Sequence, residues 1–262
     1  MMPTTNASPL SKSPASEPTG SEGGQLTGMV QPISALRDTD HAEMYALMER
    51  HFLAMSPAGF AADLAEKSAI ILLREASSNQ LVGFSTITQL ESYDEHGPIS
   101  AIFSGDTIVD RAHWGSPRLA QLWGRYVFAR AAQMQPQRVY WFLICSGYKT
   151  YRFLPLFFRE FYPHHAAPTP PSMQALMDRL AYLKFPEEYC AHQGIVRLQR
   201  ATPLRPEVAP LTSARQRDPH IAFFARANPG HHAGDELVCL AELSHANLSA
   251  AGRRMLREGE GA

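Results

Sequence analysis

Two carboxylates in this 262-residue chain occupy positions from which they could take a proton. Asp106 falls in the middle of a run of strand-forming residues, directly after Gly105, and glycine inside a strand often marks a bulge and a close backbone approach. Glu91 falls at the end of the preceding strand-like run. Asp106 is the first candidate for a general base and Glu91 the second, although strand ends and outward faces also carry charge for solubility alone. Cys145 stands at a strand-to-helix turn, where a nucleophile with a histidine base would suit a thioesterase or hydrolase. The glycine two residues before the nucleophile of such elbows is missing, since Leu143 holds that position. The 11 histidines include two adjacent pairs, His164-His165 and His231-His232. Neighbouring side chains point in different directions along a strand or helix, His-x-x-x-His spacing is absent, and Cys190 with His192 lacks a second pair. No metal site is expected. The polar, glycine-rich stretch 228–235 reads as turn chemistry.

These residues need a scaffold, and hydrophobic periodicity supplies one. A helix is expected over about 39–55, from the spacing of Tyr45, Met48 and Phe52. A second begins with Ser56 as N-cap and Pro57 at the first helical position. Strands follow at 69–73, 81–90 and 99–109, joined by short turns, which predicts an antiparallel meander. Leu119, Leu122, Trp123, Tyr126 and Val127 then form a helical stripe that Pro136 ends. The apolar run 139–145 has strand length, so strand, helix and strand make a parallel unit. The aromatic segment after Gly147 reads as a helix divided or kinked at Pro155. Farther on, a helix is expected over 171–184, strands at 194–198, 220–225 and 236–241, and a closing helix at 245–257.

Composition limits the function classes. The 24 Lys+Arg nearly balance 25 Asp+Glu, which gives no overall electrostatic footprint for nucleic acid or an anionic membrane. Three dispersed cysteines argue against a disulfide framework and fit a reducing, cytoplasmic setting. Lys149, Arg152 and Arg159 interrupt or bound the most apolar stretch, so no membrane span is expected. Residues 1–28, rich in Ser, Thr, Pro and Gly, lack the apolar segment of a signal peptide and read as a disordered tail.

The residues from Val109 to Leu119 open a long helix. Its N-terminus presents unsatisfied N–H groups and a partial positive charge, which suits a diphosphate. Two helices, a meander, this loop and helix, a buried parallel strand and a further helix resemble the GNAT superfamily of acyl-CoA-dependent N-acyltransferases over about residues 33–163. The resemblance implies an α/β fold, a GNAT-like mixed sheet flanked by helices, for residues 29–170. Residues 171–262 would be an additional C-terminal α+β portion, either continuous with the sheet or a second lobe. It further implies that the strands before and after the long helix splay into a V that holds acetyl-CoA or a longer acyl-CoA. The donor would lie against Ile108, Val109, Gly115, Ser116, Arg118 and Ser146, with no metal. Pro117 falls on or beside the second glycine of the family loop, and Leu119 replaces a small residue.

Family members often protonate the departing thiolate with a Tyr about two turns into the helix after the V. That place falls near Phe153 here, so the nearest phenols, Tyr151 and Tyr148, are the candidate general acids. The expected reaction is transfer of an acyl group from a coenzyme A thioester, or one on an acyl carrier protein, to a small-molecule amine. Asp106 or Glu91 would take the amine's proton. The competing account is a binding or interaction module that kept the fold and lost the diphosphate loop.

Overall fold

The computed structural model describes residues 25–94, 96–135 and 137–257. Its centre follows from sequence: a strand buried on both faces reads as an unbroken apolar run, and β2 (Ala69–Glu75) does so. Ile70 and Leu72 face one side, where α1 (Asp38–Glu49) and α2 (Pro57–Ala65) cover them. Ile71 and Leu73 face the other, toward α3 (Arg118–Gln133). Ser56 caps α2 as expected, its Oγ accepting the Gly59 N–H at 3.1 Å.

Eight strands form one sheet in the order β1-β2-β3-β4-β5-β8-β7-β6. β3 (Leu81–Asp94) and β4 (Gly97–Val109) complete the expected meander, and β5 (Arg138–Cys145) lies parallel to β4. Every other pairing is antiparallel. β1 (Leu26–Pro32) is a correction: the tail was expected to reach residue 28, but Leu26 to Gly28 pair with β2. Its alternation of half-buried and exposed residues is weak because it is an edge strand. Residues 1–24 and Pro136 lie outside the described residues.

After β5 the chain makes two short helices, α4 (Tyr148–Tyr151) and α5 (Phe153–Phe157). The division falls at Arg152, and Pro155 sits in the first turn of α5, where a missing N–H leaves no helical bond unmade. α6 (Pro171–Lys184) occupies the expected span and covers the α1 side of the sheet with Leu176, Met177 and Leu180. The short β6 (Tyr189–Cys190) and β7 (Ile195–Val196) follow. β8 (Glu236–Glu242) pairs with β5, so the C-terminal portion continues the sheet.

The strand expected at 220–225 is instead a helix, α7 (Pro219–Ala227). Asp218 and Pro219 are its N-cap and first position, and the Asp218 carboxylate accepts from the N–H groups of His220 and Ile221. Ile221 and Phe224, three apart, bury its inner side. α8 (Ala250–Leu256) closes the described chain. Among the described residues no helix is long and apolar enough to cross a membrane.

Candidate active site

The parallel pairing of β4 with β5 ends at Ser104 opposite Leu143. Beyond that point β4 stays with β3 and β5 stays with β8, so the two strands part and their facing backbone groups lose each other. Opposite the single residue Thr86 of β3, β4 carries both Gly105 and Asp106, because Ser85 pairs with Thr107 and Ile87 with Ser104. This is the bulge that Gly105 suggested, and it turns the strand at the mouth of the V. At the vertex, Ser104 Oγ accepts both indole N–H groups, from Trp123 at 2.8 Å and Trp141 at 3.1 Å. The narrow end of the V is thereby fixed.

Two cavities meet in this opening. One, of about 400 Å³, is mostly apolar and lies toward α3, among Ile108, Val109, Ser116, Trp123, Trp141 and Phe153. The second, of about 970 Å³, lies on the α2 side and is the more polar, with Asp63, Lys67, Asp106, Lys184, Glu188, Arg200 and Glu236 in its wall. Gly105, Thr107, Ser146 and Thr150 line both. The V thus has an apolar slot on one side and a charged chamber on the other, with these residues between them.

Burial and the neighbouring Asp63 carboxylate push Asp106 up to about 7, against the pull of the Lys67 ammonium. Burial likewise pushes Glu236 up to about 7, helped by the charges of Asp106 and Asp63 and opposed by the Ser146 hydroxyl and Lys67. Lys67 is buried, with Nζ 2.5 Å from Asp63 Oδ1. Four carboxylates thus share the wall with three cations, Lys67, Lys184 and Arg200, and their narrow excess suits a cation. At the slot's mouth the imbalance reverses. Lys149 is lowered to about 8 by burial and then by Arg215 and Arg111, and its Nζ sits 3.1 Å from the centre of the Trp114 ring. A cluster of cations of this kind is stabilised by an anion.

The structure sorts the expected site residues. Ile108, Val109, Ser116 and Ser146 line the slot, and Asp106 lines the chamber. Gly115 and Arg118 line neither cavity. Glu91 lies toward the opposite end of β3, exposed and accepting from Ser100 Oγ at 2.9 Å, so it is not brought to the opening. Tyr151 is wholly buried, donates to the Pro163 carbonyl at 2.9 Å and is raised by burial. Tyr148 is buried too, and neither phenol lines the slot or the chamber. Phe153, where the resemblance places a tyrosine, does face the slot. The Cys145 nucleophile is also corrected: the thiol is fully buried, raised well above its ordinary range and 3.8 Å from Cys239 Sγ. The stretch 228–235 is a turn as expected. Asn228, buried within it, donates to the Asp235 carbonyl at 2.8 Å.

Sequence reasoning missed Asp63, Lys67, Lys149, Thr150 and Glu236. Asp63 and Lys67 are four apart across the C-terminal end of α2, the spacing of an ordinary surface ion pair. Glu236 opens a strand far from the V in sequence. Lys149 and Thr150 carried a signal, since they directly follow the strand-to-helix turn.

The class these features define is an α/β protein with one eight-stranded mixed sheet flanked by helices. No family model matches the sequence, and no curated protein matches it. Solved structures are similar over about half the chain. An Enterococcus faecalis protein described as a probable N-acyltransferase aligns at 15% identity and TM-score 0.37, over 52% of this chain and 33% of its own. This chain thus spans about a third of that protein. Arabidopsis thaliana NAA60, solved with a bisubstrate analogue, aligns at 13% identity and TM-score 0.37, over 48% of this chain and 80% of its own. The Escherichia coli GNAT family N-acetyltransferase YhbS, solved with CoA, gives 16% identity and TM-score 0.34, over 49% and 68%.

Proposed function

We propose that this protein transfers an acyl group from a thioester, acetyl-CoA or a longer acyl-CoA, to a cationic amine. The observation that carries the reading is the opening of the V, where an apolar slot and a charged chamber share Gly105, Thr107, Ser146 and Thr150. The donor's arm lies in the slot with its thioester at the bulge. Backbone N–H groups freed where β4 parts from β5 polarise the carbonyl. The amine enters from the chamber as its ammonium ion, attracted by Asp63, Asp106 and Glu236. Asp106 takes the proton, and the neutral amine attacks the carbonyl carbon. The tetrahedral intermediate collapses, the C–S bond breaks, and the extra proton on its nitrogen passes through the Ser146 or Thr150 hydroxyl to the departing thiolate. Holding both reactants at one opening supplies much of the acceleration.

The diphosphate grip differs from the helix-end scheme. The loop uses its own donors: Ala112 N–H bonds Asp110 Oδ1, Ser116 N–H bonds the His113 carbonyl, and Arg118 N–H bonds Ser116 Oγ. Pro117 has no N–H to give. Lys149 with Arg215 is the charge that remains for a phosphate, since Arg111 pairs with Glu207 at 3.2 Å. The same self-satisfied loop favours the second reading, a binding module that no longer turns over.

A thioester-cleavage screen with acyl-CoA and acyl-carrier-protein donors and a panel of mono- and polyamines tests both. Amine-dependent thiol release is expected. A thermal shift with coenzyme A esters but no release with any amine would favour the binding module, and neither shift nor release with either donor would overturn the donor assignment.

A further inference from the structure

The adjacent pair His164-His165 does not diverge as neighbouring side chains usually do. It lies in the connection between α5 and α6, where the two rings stack with centroids 4.6 Å apart. A third imidazole meets them from α7: the His220 ring stands edge-on to His165 at 4.4 Å and to His164 at 5.5 Å. One ring nitrogen from each residue lies within 4.8 Å of the others. His220 Nδ1 is buried with no hydrogen-bond partner. A buried, unsatisfied acceptor or donor is costly, so an orphan nitrogen among converging imidazoles asks for a ligand.

We propose that His164, His165 and His220 form a site for a borderline divalent metal ion, zinc in the first instance. Imidazole suits zinc, and three histidines leave its fourth tetrahedral position open. Zinc–nitrogen bonds of about 2.0–2.1 Å place tetrahedral ligand nitrogens roughly 3.3 Å apart, so the rings close inward by side-chain rotation. His164 Nδ1 accepts the Ala166 N–H at 3.0 Å. The nitrogen opposite an accepting Nδ1 carries the proton, so His164 releases this amide when it takes the metal. The walls are apolar: Phe161 lies 4.8 Å from His164 and 5.9 Å from His220, centre to centre. The His220 backbone N–H is held by Asp218, whose carboxylate pairs with Arg152 Nε at 3.3 Å. The ion would tie α7 to the segment before α6, at a distance from the V, and it takes no part in acyl transfer as proposed above.

The test uses the full chain without a histidine tag. Titration with zinc, with bound metal counted after dialysis, is expected to give one equivalent and a melting temperature that rises until one equivalent is reached. Cobalt(II) in the same site should show the visible absorption of a low-coordinate histidine complex. Even outer partners of metal sites are worth about 10–100-fold in affinity. His220→Ala and His165→Gln should therefore each weaken binding by more than about 100-fold, while His192→Ala leaves it unchanged. A metal-free melting temperature near that of the parent shows that each variant is folded. No bound metal in the parent protein, or full stoichiometry in both folded His220→Ala and His165→Gln, would overturn the site. The metal count is independent of turnover, so it stands or falls apart from the acyltransferase reading.

Discussion

At the scale of single residues, the chamber's chemistry rests on carboxylates that retain their protons near neutrality. A base must be ionised to accept the amine's proton, so kcat/KM is expected to rise about tenfold per pH unit below about 7 and level off above it, following Asp106 and Glu236. Asp106→Asn should lower kcat by about 10²–10⁴-fold, the usual contribution of a positioned base. Full activity in Asp106→Asn would remove Asp106 from the mechanism. Stability moves the other way. Both groups hold protons in the folded protein at pH values where the unfolded chain has lost them. Their stabilising contribution is complete below the unfolded values and is lost as pH rises through about 7. Urea unfolding of Asp106→Asn should accordingly show a gain over the parent at pH 8 and little difference at pH 4.

Lys149 permits a sharper test of the donor. Lys149→Met removes the ammonium and keeps most of the apolar stem over Trp114. A charge-assisted contact to phosphate is worth about 1.5–3 kcal/mol, which corresponds to roughly a 10–100-fold rise in KM for a coenzyme A thioester. A short thioester without phosphate should show no such rise. Equal effects on both donors would place Lys149 elsewhere in the reaction.

At the scale of elements, the bulge is the feature on which the site depends. A Cβ on Gly105 would stand 2.7 Å from Thr86 Oγ1 and 3.0 Å from Lys67 Cε. Gly105→Ala is therefore expected to displace Lys67 from the chamber and cost about 1–3 kcal/mol in denaturant unfolding, as overpacking does. This element was legible in sequence, because a glycine followed by an acid breaks a β-branched and aromatic run at a single point, as a bulge does. So was the meander, since short turns between period-two runs allow little but hairpins. The helix α7 was not legible, because His220 to Ala225 has strand-like residues and its N-cap signal, Asp218-Pro219, closes a proline-rich connection. The site divides along the same line. Ile108, Val109, Ser116 and Ser146 follow from a local strand-to-helix pattern. Lys67 and Glu236 become neighbours of Asp106 only after α2 and β8 dock on the sheet, a non-local event with no signature in nearby residues. The phenols mislead for a physical reason: Tyr148 and Tyr151 belong to a short helix whose inner side is core, so their rings turn away from the opening.

At the scale of the whole molecule, the residues beyond α6 are structurally inseparable from the site. β8 lies beside β5 over six residue pairs, Tyr140 with Glu242 through Cys145 with Leu237, and brings Glu236 to the chamber. The connection after β7 crosses to the other end of the site. Leu53 N–H bonds the Pro203 carbonyl at 2.8 Å, Arg205 N–H bonds the His51 carbonyl at 2.8 Å, and Leu204 lines the slot. A fragment ending at residue 170 would lose two chamber carboxylates, Glu188 and Glu236, and one wall of the slot. It would also expose β5, among the most apolar strands in the chain, as a long free edge, and such edges template aggregation. That fragment is expected to be insoluble or to lack a cooperative unfolding transition, whereas the full chain should unfold in one transition by circular dichroism and by tryptophan fluorescence. Trp123 and Trp141 sit at the vertex of the V, so their fluorescence reports the site directly. Coincident transitions would mean that site and sheet melt as one unit. An independently folded fragment retaining the Trp123–Trp141 signal would instead make the C-terminal portion a separable addition, and would move the origin of the acceptor chamber to the N-terminal core alone.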